Sequence, residues 1–197
     1  MKRTIEMIFM TLVIFLIAVF VSMTMTSCSI VDDDNREDII WDIAPIELNF
    51  VVTDAQGNDL LDSTRTDHLL NDITVDYDGK TYKYMTMEEA RHTQTRAYMA
   101  SFYGLHESYQ IGNYRSIAFG EFSGDENVEL REMVLHIGKN TFRISYTNRF
   151  QWLSNGSPDI NRKYYLEGKE LTDSWGKYGN MVFSYTTDGK AVYMPVE

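Results

Sequence analysis

The stretch Ile73-Thr74-Val75-Asp76-Tyr77-Asp78-Gly79-Lys80-Thr81-Tyr82-Lys83-Tyr84 decides the fold class. Apolar and polar residues alternate on both sides of Asp78-Gly79. That dipeptide suits a two-residue type I′ loop, because both of its residues tolerate positive φ. Such a loop sets Tyr77 opposite Lys80, Val75 opposite Tyr82 and Ile73 opposite Tyr84. The apolar residues of both strands then share one face, which a slip of one residue would destroy.

Three further turn signals repeat the test. Asp188-Gly189 is expected to pair Tyr185 with Val192 and Phe183 with Met194. Around Gly138-Lys139-Asn140, Ile137 is set against Phe142, Leu135 against Ile144 and Met133 against Tyr146. Glu167-Gly168 turns Tyr164-Tyr165-Leu166 back onto Lys169-Glu170-Leu171. Period-two alternation also runs through Ile46, Leu48, Phe50 and Val52. It recurs through Phe142, Ile144, Tyr146, Phe150 and Trp152, broken only at Asn148. One helix signal exists, the capping box Thr86-Met87-Glu88-Glu89 leading into residues 90–94. Residues 96–114 mix strand formers with Gly104 and Gly112. About eight to ten short strands with regular turns predict an all-β domain, an antiparallel β-sandwich of immunoglobulin-like architecture. A small β-barrel is the alternative.

Upstream of these strands the chain has a different character. Lys2 and Arg3 precede an apolar stretch over residues 7–21, and Met25-Thr26-Ser27-Cys28 closes it. The apolar core is about 15 residues, short of the roughly 20 that a spanning helix needs, which suits a signal peptide. Small residues before Cys28 resemble the lipobox of bacterial lipoproteins, with Met25 in place of the usual Leu. An uncleaved transmembrane anchor and an ordinary secreted protein are the competing readings. Cys28 is the sole cysteine. A thiol consumed by a lipid bond leaves no spare thiol in an oxidising compartment. Stable anchoring takes more than one acyl chain, which the lipoprotein resemblance implies. Asp32, Asp33, Asp34, Glu37 and Asp38 follow, a run of charge that stays extended as a tether. It resembles the acidic export signal of surface lipoproteins. The expected organisation is a signal peptide over residues 1–27, a lipidated acidic tether over 28–40 and one β-sandwich domain over 41–197.

Charge excludes some partners. The chain has 18 basic and 29 acidic residues, and loss of residues 1–27 removes Lys2, Arg3 and Glu6, leaving a net charge of −12. Such a surface repels nucleic-acid phosphates and anionic headgroups. The membrane is therefore met through the lipid alone, and a glycan or envelope protein is the partner class expected.

No catalytic signature emerges. Ser174-Trp175-Gly176-Lys177 has the spacing of a serine nucleophile with a lysine base, but the accompanying motifs are missing and a surface loop explains it. His68, His92, His106 and His136 make no local zinc pair, and His136 reads as an outward strand residue. Asp54, Asn58 and Asp59 form an oxygen-rich loop, a weak calcium candidate that a plain turn explains equally. No cofactor is expected. Trp152 and Trp175 are the candidates for stacking on a sugar ring.

Several phrases carry a resemblance: Trp41-Asp42-Ile43-Ala44-Pro45, Val52-Thr53-Asp54-Ala55-Gln56-Gly57-Asn58-Asp59-Leu60-Leu61-Asp62, Phe119-Gly120-Glu121-Phe122 and Tyr164-Tyr165-Leu166-Glu167-Gly168-Lys169. Together they resemble a family of uncharacterised Bacteroidetes-type surface lipoproteins with a β-sandwich domain. The resemblance implies an outer-membrane, lipid-anchored protein exposed at the cell surface, with the periplasmic face as the alternative. It carries no activity and no site residues. The expected function is a non-enzymatic binding or interaction module. A structural or accessory subunit of an envelope assembly is the second expectation, and a hydrolase the third.

Overall fold

The computed structural model describes residues 43–86, 88, 89 and 104–197. Cys28, the leader, the acidic run and the helix expected over residues 90–94 lie outside the described residues. At its start the capping box is formed: Glu89 N–H donates to Thr86 Oγ1, and a Glu89 oxygen accepts from Thr86 N–H at 2.7 Å.

Eleven strands occur among the described residues: β1 (Ile46–Asp54), β2 (Ile73–Tyr77), β3 (Lys80–Met85), β4 (Leu105–Glu107), β5 (Ile117–Phe122), β6 (Val128–Ile137), β7 (Asn140–Trp152), β8 (Pro158–Leu166), β9 (Lys169–Glu170), β10 (Asn180–Tyr185) and β11 (Ala191–Tyr193). They form one sheet in the order β11-β10-β1-β5-β4-β3-β2-β6-β7-β8-β9. The β1–β10 and β3–β4 pairs are parallel and the others antiparallel. The all-β class is as expected. The immunoglobulin-like sandwich is not confirmed, because backbone hydrogen bonds join every strand into one mixed sheet curled into a half-barrel.

The curl is made at β3. Its first residues pair with β2, whereas Tyr84 and Met85 pair with Leu105 and His106 of β4. The sheet is thereby folded so that β5 and β10 face β7 across the core. Phe142 meets Phe183 with ring centroids 4.7 Å apart, and Phe122 meets Tyr146 at 5.5 Å. The Tyr146 hydroxyl accepts from Arg131 Nη1 at 3.0 Å, and burial pushes its pKa up to about 12 against the pull of that guanidinium. β1 lies between β10 and β5 and is buried on both faces, so Asn49 and Val51 of its outer face are covered as fully as Leu48 and Phe50 of its core face. On its outer face Val51, Val182 and Ile111 form a second small cluster, with Trp175 and Tyr114 packed against it.

Two hairpins keep the expected register. Asp78-Gly79 and Glu167-Gly168 all have positive φ, the type I′ pattern, and Val75 lies opposite Tyr82 and Leu166 opposite Lys169. Two registers differ. Ile137 pairs with Asn140 and Leu135 with Phe142, a shift of two residues, because Gly138 alone takes positive φ (58°) and the loop tightens to two residues. Tyr185 pairs with Ala191 and Phe183 with Tyr193, a shift of one. There Asp188 is not at positive φ, so Thr187, Asp188 and Gly189 form a three-residue loop. The odd shift leaves Val192 and Met194 exposed.

Candidate functional site

The β7–β8 hairpin is longer than the core beneath it. Along its inner face, Ile144 and Tyr146 are buried, Phe150 is half-buried and Trp152 is 55 % exposed. β8 runs the same way, from buried Leu166 and Tyr164 through Arg162 to exposed Ile160. A polar layer divides core from overhang. Asn148 Nδ2 donates to the carbonyls of Gly124 (3.0 Å) and Glu126 (2.6 Å), and Arg162 Nε donates to Asn148 Oδ1 at 3.2 Å. Arg162 Nη2 also donates to the Ala44 carbonyl at 2.9 Å. The break at Asn148 is therefore the point where the hairpin leaves the core.

Beyond that layer, Trp152 stands edge-on to Phe150 at 5.3 Å and opposite Pro158, with Phe150 opposite Ile160. A groove of about 530 Å³, bounded by Ile43, Pro158, Ile160, Arg162 and Tyr178, reaches this pair through Pro158 and Ile160, their cross-strand partners. Tyr178 is 66 % exposed, and Lys177 Nζ lies 5.0 Å from its ring centroid.

The two expected stacking residues are thus placed apart. Trp152 is at the groove's hairpin. Trp175 packs on the outer face of β1 and lies so close to Gly112 that a Cβ there would meet its ring at 3.2 Å. In the oxygen-rich loop, Asp54 accepts from Gln56 N–H, Asn58 N–H and Asn58 Nδ2, bonds that hold its carboxyl below the usual range. Asp59 accepts from Leu61 N–H and Arg115 N–H. Asp54 closes its own turn, and Asp59 ties the loop to Arg115, 56 residues further along the chain. Ser174 and Lys177 sit in the loop beside Asp173, where Ser174 N–H donates to the Val196 carbonyl. His136 bonds Asp76 at 2.9 Å across the outer face of β2 and β6.

One constellation has no local motif. Glu47 on β1, His106 on β4 and Glu121 on β5 come from three adjacent strands, with a ring nitrogen and carboxylate oxygens within 4.8 Å of one another. Ala118 lies opposite both Asn49 and His106, and Gly120 opposite Glu47, so the middle strand interposes only small residues. His106 is 4 % exposed, and its Nδ1 lies 3.1 Å from the Gly104 carbonyl. Burial raises the pKa of Glu47, His106 lowers it and Glu121 raises it again. Next to this group, Asn49 donates to the Tyr109 hydroxyl at 3.2 Å and accepts from Ser108 Oγ at 3.1 Å. Positions 47, 106 and 121 share no spacing that a sequence reading detects. The visible trace is the step from Ile117 and Phe119 to Phe122, where apolar alternation skips a residue.

Among the described residues, no helix is long and apolar enough to cross a membrane. Comparison with protein-family models, curated proteins and solved structures gives no match.

Proposed function

We propose that this chain is a lipid-anchored surface lipoprotein of the Bacteroidetes type, held in the outer membrane through Cys28 and acting as a non-enzymatic glycan-binding module. The observation that carries the reading is the overhang of the β7–β8 hairpin, which leaves Trp152 exposed beside a groove with Tyr178 on its border. Aromatic faces cover the apolar face of a sugar ring, and neighbouring polar groups fix its orientation. Arg162, on the border of the groove, supplies such a group. The two halves of the curled sheet face each other as the sheets of a sandwich do and serve as a rigid support.

The test is a glycan array followed by fluorescence titration with the full chain in detergent micelles. Trp152→Ala and Tyr178→Ala should each weaken binding about tenfold or more without unfolding the domain. Absence of any glycan ligand, or affinity unchanged in both variants, sinks the proposal.

A second reading, an accessory subunit of an envelope assembly, has one observation in its favour. β9 pairs only with Tyr165 and Leu166. Among the described residues, no strand pairs with the outer edge of β8 over residues 158–163. A partner's strand adds at such an edge. Pro158 and Lys163 are residue types that discourage it.

A further inference from the structure

The outer face of β1, β5 and β4 carries a group of side chains that the glycan reading does not use. We propose that Glu47, His106 and Glu121 bind a divalent cation of the zinc class, through His106 Nε2 and one oxygen of each carboxylate, with water completing the shell.

Three features favour an ion here. The first is the donor set. One imidazole with two carboxylates matches zinc and cobalt, whereas calcium and magnesium take oxygen almost alone. The ligand atoms already lie within 4.8 Å of one another. Closing on an ion at about 2.0–2.2 Å from each atom needs only small side-chain adjustments.

The second is the histidine's tautomer. Nδ1 of His106 lies 3.1 Å from the Gly104 carbonyl oxygen, which only accepts. Nδ1 is therefore the donor of this bond, and Nε2 is the nitrogen that a cation would take. Metal-bound histidines are oriented in this way, with the second nitrogen donating to a carbonyl or carboxylate. The ring is almost fully buried, so this orientation is held by packing.

The third is the backbone of β5. Ile46 pairs with Phe122 and Glu47 with Gly120, so Glu121 is an extra residue, a bulge. In a regular strand the alternation from Phe119 would aim Glu121 into the core and Phe122 out of it. The bulge returns Phe122 to the core and frees Glu121 to join Glu47 on the outer face. It does so with Glu121 at φ 91°, a conformation that residues with side chains rarely adopt. Two glutamates are thereby set side by side in a partly buried place. A divalent cation neutralises both.

The experiment uses the untagged full chain in detergent, stripped with chelator. It is titrated with Zn²⁺ by calorimetry and with Co²⁺ by visible absorption. One equivalent should bind, with the absorption bands of a four- or five-coordinate cobalt site. Glu121→Gln and His106→Gln should each weaken binding tenfold or more. Glu121→Gly keeps the test decisive, since glycine adopts this φ without strain. It should raise the thermal midpoint of the metal-free protein and weaken zinc binding at least tenfold. No stoichiometric binding, or one equivalent that all three variants retain at full affinity, overturns the proposal. Neither result bears on glycan binding at Trp152.

Discussion

Asp173 gathers four donors between β9 and the 3₁₀ turn Gly176–Tyr178. The Tyr193 hydroxyl donates to Oδ2 at 2.6 Å, and the N–H groups of Gly176, Trp175 and Val196 donate to Oδ1 at 2.9, 3.3 and 3.3 Å. Burial pushes this carboxyl up, but the four hydrogen bonds outweigh it, and the folded pKa lies below the ordinary 3.8. A depressed carboxylate stabilises the fold fully above its unfolded pKa and loses that contribution as pH falls through the folded value. Asp173→Ala should therefore cost about 2 kcal/mol at neutral pH. The difference from the parent should shrink as the pH falls below about 4, read as urea midpoints. A difference that grows on acidification would contradict this account. Burial and the same contact raise the Tyr193 hydroxyl, so it stays a donor at any ordinary pH. None of this is visible in the residues alone, where Asp173 is one acid among many. Trp175 and Gly176 follow it closely in the chain, whereas Tyr193 and Val196 are brought to it by the return of the C-terminal segment.

The hairpins show where turn chemistry is readable as an element and where it is not. Asp78-Gly79 and Glu167-Gly168 supply two consecutive residues at positive φ, and their registers follow from the sequence. Gly138 and Gly189 each supply one, and that difference selects other loops. An even shift at Gly138 kept every side chain on its expected face, whereas the odd shift at Gly189 turned Val192 and Met194 to solvent. These two turns are also tied together. Asn140 Nδ2 donates to the carbonyl of Ile137 at 3.0 Å and to that of Gly189 at 2.8 Å. Asn140→Ala should destabilise the protein by about 1–2 kcal/mol. Amide exchange should quicken in both turns, although only one carries the substitution. Exchange confined to the β6–β7 turn would show the tie to be unimportant.

At the scale of the molecule, two tryptophans that look alike in sequence are assigned opposite tasks. Trp175 holds the outer cluster of Val51, Ile111 and Val182, and Trp152 stands on the overhang. Trp175→Ala should cost about 3 kcal/mol in urea unfolding, as large-to-small changes in packed sites do, and leave glycan affinity unchanged. Trp152→Ala should alter stability by only about 0.5 kcal/mol and weaken glycan binding about tenfold or more. The reverse pattern would move the site to the Trp175 face. The β class, the strands and the type I′ hairpins were legible in the chain, because alternation and turn residues act over a few neighbouring positions. The joining of those hairpins was not. Asn49 pairs with Asn180 in the parallel β1–β10 ladder, and β3 divides its hydrogen bonds between β2 and β4. Such pairings depend on which distant edge a strand meets after the chain collapses, and no local spacing encodes that choice. The meeting of Glu47, His106 and Glu121 has the same origin, since only the order β1-β5-β4 makes neighbours of residues so far apart in the chain.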